Sequence, residues 1–256
     1  MRFQHLPKRK MRLADFFGKE YFDGGQDQTG RFSEYTLDSK YREFDFLTSR
    51  LNSMFRPRIV LDIGCAKGFL VLAFRNLGIE SYGVDVSSYA LSQAPRVVRR
   101  HLSEVDLNTQ RLPFEDRTFD LITAMGVLEY VISISTALGE IRRVISENGI
   151  LFVKTYYPLH AKKWMQPFFE NVEPLELRDE KGWIDVLASH GFEFMKNSTD
   201  RCYPVYIQQW LEDALSKANG LKYSLGQHVY AVPKFGRWAL SRWARSRVGM
   251  LFFKPR

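Results

Sequence analysis

Residues 59–74 read IVLDIGCAKGFLVLAF, and the organisation of the chain follows from them. A β-branched apolar run ends in Asp62-Ile63-Gly64, turns through Cys65-Ala66-Lys67, and enters a helical pattern at Gly68. A buried strand that delivers the chain into a glycine turn and then a helix opens an α/β sheet, where ligands sit beyond the carboxyl ends of the strands. Gly64 and Gly68 would let the backbone approach a bulky ligand closely. Dinucleotide folds space their glycines G-x-G-x-x-G, whereas this turn reads G-x-A-x-G with Asp62 two residues ahead of it, which argues against a pyrophosphate ligand.

Outward from this turn, short β-branched runs alternate with longer helical patterns, the signature of a parallel sheet with crossover helices. Strands are expected at 59–63, 81–85, 101–105, 119–124, 149–155, 192–197 and 228–232, with helices at 68–77, 88–99, 135–145 and 181–189. Asn148-Gly149 reads as a helix stop in the left-handed conformation. The fold class is therefore α/β, a doubly wound, mainly parallel seven-stranded sheet whose last strand is antiparallel, with an N-terminal cap and insertions. The expected divisions are a basic segment and helical cap at 1–55, a core at 56–233 with insertions at 156–180 and 199–226, and a basic tail at 234–256.

Asp85 ends the second strand, 21 residues after Gly64. A carboxylate there can accept two hydrogen bonds from vicinal ribose hydroxyls; the bland alternative is a helix N-cap ahead of Ser87-Ser88.

Five stretches in order, LDIGCAKG, GVDVS, LPFEDRTFDLI, MGVLEYV and EIRRVISENGILFVK, make the segment from Val60 to Thr155 resemble the class I S-adenosylmethionine-dependent methyltransferases, in particular the small-molecule and quinone-type group. The resemblance implies a Rossmann-like fold and S-adenosyl-L-methionine as cofactor. Asp62, Gly64, Cys65, Ala66 and Gly68 would surround its methionine part, Asp85 its ribose, and Val86 would pack on the adenine. Asp106 with Leu107 corresponds to the acidic site that meets the adenine amino group, although the loop before LPF is about two residues longer than usual, with Glu104 as the fallback. Ala124, Met125 and Gly126 would floor the transfer site. Ala66 departs from the usual middle glycine. Tyr21–Phe32 resembles an N-terminal lid, the alternative being a plain surface loop.

Methyl transfer from a sulfonium is an in-line displacement with a neutral leaving group, so alignment and desolvation can supply much of the acceleration. For a hydroxyl acceptor a base is needed at some stage. His160 is the first candidate, with Glu129 and Tyr130 behind it; the bland readings are a solvated loop histidine and a helix-start glutamate. The fourth strand ends in AMGVLEY, without the Asn-Pro-Pro-Tyr turn of many base and amide methyltransferases. The expected acceptor is a small molecule, glycan or lipid-linked compound methylated at oxygen. RNA or protein methylation and a non-catalytic binding scaffold are the rivals.

Cys65 and Cys202 are far apart and the five histidines are scattered, so no metal site is expected. No apolar run approaches the roughly 20 residues of a spanning helix and no signal-peptide pattern follows the basic start, so the default expectation is a cytoplasmic protein. The net charge of +8 resides at the ends: residues 1–13 and 234–256 together carry +12, leaving the body mildly acidic. On a helical wheel Ala239, Leu240, Trp243, Ala244, Met250 and Leu251 fall in one half and Arg242, Arg245 and Ser246 face away, while Arg247 and Trp238 break the pattern. Three readings follow: a terminal helix packed on the sheet, a peripheral membrane contact, or, less favoured, an RNA contact.

Overall fold

The computed structural model describes residues 13–23, 35–156, 178–199 and 248–256. Two short helices, α1 (Leu13–Phe16) and α2 (Lys19–Phe22), precede α3 (Leu37–Phe55), β1 (Ile59–Ile63), α4 (Phe69–Asn76) and β2 (Glu80–Asp85). Helices α5 (Ser88–Ser92) and α6 (Arg96–Arg99) lead to β3 (Leu102–Glu104) and β4 (Phe119–Met125). A 3-10 turn (Leu128–Tyr130), α7 (Ile134–Val144), β5 (Ile145–Tyr156), α8 (Glu180–Ser189), β6 (Phe192–Phe194) and β7 (Val248–Pro255) complete the order.

The seven described strands form one sheet in the order β3-β2-β1-β4-β5-β7-β6. Strands β1 to β5 pair in parallel, and β7 runs antiparallel to both of its neighbours, β5 and β6. Alternate side chains serve opposite faces, as strand pleating requires. Val60, Leu121 and Phe152 meet Phe44 and Leu51 of α3 and Leu70 and Phe74 of α4. Leu61, Ile122, Leu151 and Val153 meet Leu138 and Ile141 of α7 and Trp183 and Leu187 of α8. The central strands are thus buried on both faces and read as continuous apolar runs, the property of a sheet sandwiched between helices.

Three expectations need correction. The single helix over 88–99 is two: α5 ends at Ser92, and Pro95, which has no N–H with which to extend it, caps the start of α6. Asn148-Gly149 does not close a helix in the left-handed conformation: α7 ends at Val144, neither residue has positive φ, and both lie within β5. A Cβ on Gly149 would meet Phe119 O at 2.9 Å, so the glycine serves the close pairing of β4 with an irregular stretch of β5.

The third concerns the C-terminus. Of the expected tail 234–256, residues 248–255 lie inside the sheet between β5 and β6, and 234–247 are outside the described residues. Met250 and Phe252 face the α3–α4 side and Leu251 and Phe253 the α7–α8 side, all at most 2% exposed. The helical wheel put Met250 and Leu251 together; the period is two, and MLFF is a strand buried on both faces. The expected last strand at 228–232 lies outside the described residues, as do insertion 199–226 beyond Thr199 and most of 156–180.

Candidate functional site

A cavity opens where β1, β2 and β4 end and encloses about 850 Å³, its open mouth included. Its walls come from the strand ends (Ile63 and Gly64, Asp85 and Val86, Met125 and Gly126), the loop after β3 (Asp106, Leu107, Asn108), Val127, Tyr130 and Val131, and the N-terminal cap.

The glycine turn is closed by Asp85. Its Oδ2 accepts from the Ala66 N–H at 2.7 Å and its Oδ1 from the Ser87 N–H at 2.8 Å. Burial pushes the carboxyl above its usual range, against the pull of the backbone donors at Ser87 and Ala66. Each oxygen keeps a second lone pair, so Asp85 can tie two loops together and still accept from hydroxyls in the cavity. The N-capping of α5 falls to Ser87, whose Oγ accepts from the Ala90 N–H.

Gly64 adopts φ +73° and Ala66 φ +50°, both left-handed. Alanine there is a strained choice, and the position is the one where a glycine was missed in the sequence pattern. A Cβ on Gly64 would lie 2.1 Å from Val127 Cγ2. On Gly68 it would press Leu102 of β3 at 2.8 Å, so this glycine makes room for β3 and is not part of the cavity wall. A Cβ on Gly126, by contrast, would project into open space.

Asp62 lies behind Gly64, 3% exposed, paired in register with Thr123 of β4. The Thr123 hydroxyl donates to its Oδ1 at 2.6 Å. Burial, with Asp85 nearby, raises this carboxyl to about 7 despite that hydrogen bond. Cys65 points into the packing of Val71, Ala94 and Val98, where burial pushes its thiol well up. Ala124 is buried in the core beneath Met125.

The N-terminal cap supplies the opposite wall with Phe17, Tyr21, Phe22 and Tyr35. Phe17 meets Tyr21 and Tyr130 edge-on, with ring centroids at 5.0 and 5.1 Å, and Tyr35 stacks on Phe69. Polar ties anchor this cap to the two loops that carry the turn. Lys67 Nζ reaches Asp23 at 3.4 Å, Tyr89 donates to the other oxygen of Asp23, and Ser87 Oγ donates to Phe17 O. The Tyr89 hydroxyl leads the groups that hold the Asp23 carboxyl below its usual range.

Of the residues expected from sequence to bind cofactor, Gly64, Ala66, Asp85, Val86, Asp106, Leu107 and Met125 line the cavity; Asp62, Cys65, Gly68 and Ala124 stand behind it. Among the base candidates, Tyr130 lines it. Glu129 is buried beneath, where the Thr155 hydroxyl donates to its Oε1 at 3.2 Å, and it is not a wall residue. His160 lies outside the described residues. Of the lid stretch 21–32, Tyr21 and Phe22 line the cavity, Asp23 anchors it, and the rest is outside the described residues. Phe17, Tyr35 and Asn108 were not anticipated; the spacing of Phe17, Tyr21 and Phe22 at i, i+4, i+5 was the readable sign of one aromatic face.

Residues 61–153 match the family described as a methyltransferase domain. The chain is similar to a ubiquinone biosynthesis O-methyltransferase of Glaesserella parasuis, 31% identical over 141 residues, covering 50% of this chain and 57% of that protein. It is similar too to a malonyl-[acyl-carrier protein] O-methyltransferase of Legionella pneumophila, 34% identical over 106 residues, 40% of this chain and 37% of that one. The chain spans about half the length of the curated relatives it matches. Among solved structures, a Haemonchus contortus phosphoethanolamine N-methyltransferase in complex with S-adenosyl-L-methionine superposes with a TM-score of 0.56 at 18% identity, covering 98% of this chain and 62% of that one.

Proposed function

We propose that this chain, whose residues 61–153 match a methyltransferase domain, is a class I S-adenosylmethionine-dependent methyltransferase that transfers a methyl group from S-adenosyl-L-methionine to an oxygen of a small-molecule or lipid-linked acceptor. The observation that carries the reading is the cavity itself, with Asp85 and Asp106 on its floor and an aromatic wall above. S-adenosyl-L-methionine, when bound, supplies a methyl group on a sulfonium whose departure leaves a neutral thioether. The residues present fit such a molecule. Asp85 retains lone pairs for ribose hydroxyls, Val86 and Leu107 offer apolar surface to a base, and Gly126 leaves open space where a side chain would intrude.

The protein's own contribution is alignment and exclusion of water. Phe17, Tyr21 and Tyr130 form an edge-to-face cluster at the mouth that would hold a planar or apolar acceptor against the donor. Tyr130 is one of the wall residues, with Tyr21 and Tyr35, whose hydroxyl could relay the acceptor proton. The O-methyltransferase relatives support transfer to oxygen.

Labelled S-adenosylmethionine offered with phenolic, carboxylic and hydroxylated acceptors, with and without isoprenoid tails, tests this reading. Label in an acidic-hydroxyl or phenolic acceptor supports it; no acceptor labelled and no cofactor retained at millimolar concentration would sink it. For a lipid-linked acceptor, membrane contact falls to the stretch around Trp238, Arg242, Trp243 and Arg245, upstream of β7. Its test is vesicle co-sedimentation of a Trp238→Ser, Trp243→Ser variant, because truncation would delete a core strand.

A further inference from the structure

Asn108 joins two walls of the cavity through a single carboxamide. Its Oδ1 accepts from the Ile132 N–H at 2.7 Å, and its Nδ2 donates to Asp106 Oδ1 at 2.9 Å. The Asn108 N–H donates to the same carboxylate oxygen at 2.9 Å. The amide's orientation is dictated by its neighbours, since a backbone N–H can only donate and a carboxylate accepts. Behind it, Gln110 Oε1 accepts from the Asp106 N–H at 2.7 Å, so the loop after β3 is pinned from both sides of Asp106. Ile132 follows directly on Tyr130 and Val131, which line the cavity.

No other side chain of similar size does both jobs: aspartate lacks the donor, leucine lacks both groups. Both bonds from Asn108 end on Oδ1 of Asp106, fixing the plane of the carboxylate while Oδ2 carries neither of them. A carboxylate held in one orientation discriminates between ligand edges better than a freely rotating one. An amino group donates to it, and a carbonyl oxygen in the same position meets it lone pair to lone pair.

We infer that Asn108 is a positioning residue which sets selectivity for an adenine over a hypoxanthine base through Asp106, and which makes that selectivity depend on the wall that ends at Ile132. The inference rests on the reading of the cavity as the S-adenosylmethionine site.

The test is calorimetric titration of S-adenosylhomocysteine and S-inosylhomocysteine into wild type, Asn108→Leu, Asn108→Asp and Asp106→Ala, with thermal denaturation of each variant alongside. Wild type should prefer the adenosyl ligand by about tenfold or more, the worth of a hydrogen bond to a charged group, and the Asn108 variants should lose most of that preference while binding the inosyl ligand within about threefold of wild type. Adding Asn108→Leu to Asp106→Ala should change the preference no further, because the two act in series. Parallel weakening of both ligands would reduce Asn108 to a structural residue, and undiminished preference in Asn108→Asp would show that its donation to Asp106 is idle; either overturns the inference. Wild type that binds S-adenosylhomocysteine without preference defeats this inference alone, whereas wild type that ignores it defeats the functional reading as well.

Discussion

Replacing Asp62 by asparagine isolates the cost of keeping a carboxylate behind the glycine turn. Asparagine has nearly the same shape, and its Oδ1 can still accept the Thr123 hydroxyl that donates to Asp62 at 2.6 Å. What it removes is the charge. Burial raises the Asp62 carboxyl from an ordinary 3.8 to about 7, so between those values the folded chain binds a proton that the unfolded chain has released. Stability should therefore be fully retained at low pH and fall as pH rises, until Asp62 is ionised in both states. One pH unit of separation is worth about 1.4 kcal/mol, which bounds the penalty at about 4 kcal/mol above pH 7, with about 3 kcal/mol of it accruing between pH 5 and 8. Urea unfolding of wild type and Asp62→Asn without ligand, from pH 5 to 8, cancels the titrating groups remote from Asp62 and leaves the carboxyl together with its coupling to Asp85. The variant should gain on wild type steadily across that range. A difference that stays flat with pH would refute the reasoning, since it would mean that Asp62 is equally comfortable ionised in both states. A ligand carrying an ammonium group near Asp62 should bind wild type more tightly as pH rises through 7 and bind Asp62→Asn without that trend.

Gly64→Ala combines a left-handed φ of +73° with a Cβ 2.1 Å from Val127 Cγ2; thermal unfolding should show a loss of about 2–4 kcal/mol, and Val127→Ala should restore only the steric share. Removal of residues 248–256 takes out a strand with four side chains at most 2% exposed, so the truncated chain should be insoluble or lack a cooperative transition in circular dichroism. Asp23→Ala breaks ties in which the aspartate is 38% exposed, so it should cost under about 1 kcal/mol of stability. The same variant should speed S-adenosylhomocysteine release in stopped-flow measurements, because Lys67 and Tyr89 no longer hold the cap down.

How much of this was legible from the chain depends on how far apart the contributing residues lie. The floor of the cavity was readable because each piece is local: a strand end, a tight turn, and an acid two or three residues further on. Gly64, Asp85 and Asp106 each sit where a short stretch changes from a period of two to a turn, and that change is visible in a window of ten residues. The alternation of strand and helix through 59–155 was readable in the same way, whereas the order β3-β2-β1-β4-β5 is set by pairings between strands distant in the chain. Strand β7 was not legible in that way. Its placement is set by pairing Lys154 with Met250 and Thr155 with Gly249, nearly a hundred residues away, and a buried strand of MLFF presents no alternation to distinguish it from a helix face. Pro95, by contrast, was a local signal whose weight was set too low against the apolar spacing around it.

The acceptor side was only partly readable, for a different physical reason. Its wall is assembled from Phe17, Tyr21, Tyr35 and Tyr130, and beyond the i, i+4 step from Phe17 to Tyr21 no helical or strand spacing links them. They meet because polar anchors elsewhere, Asp23 on Lys67 and Tyr89 and Ser87 on Phe17, bring the cap onto the loops that already form the floor. The ties land on residues of the glycine turn and of the turn after β2, the same two loops that Asp85 binds together. Whatever orders those loops around a ligand therefore acts also on the hinge of the aromatic wall. A ligand on the floor should protect the backbone amides of residues 17–22 from hydrogen exchange although they are remote from it in sequence. Protection confined to 64–68 and 85–88 would mean that floor and wall are ordered independently, and that the acceptor pocket is not built on the donor site.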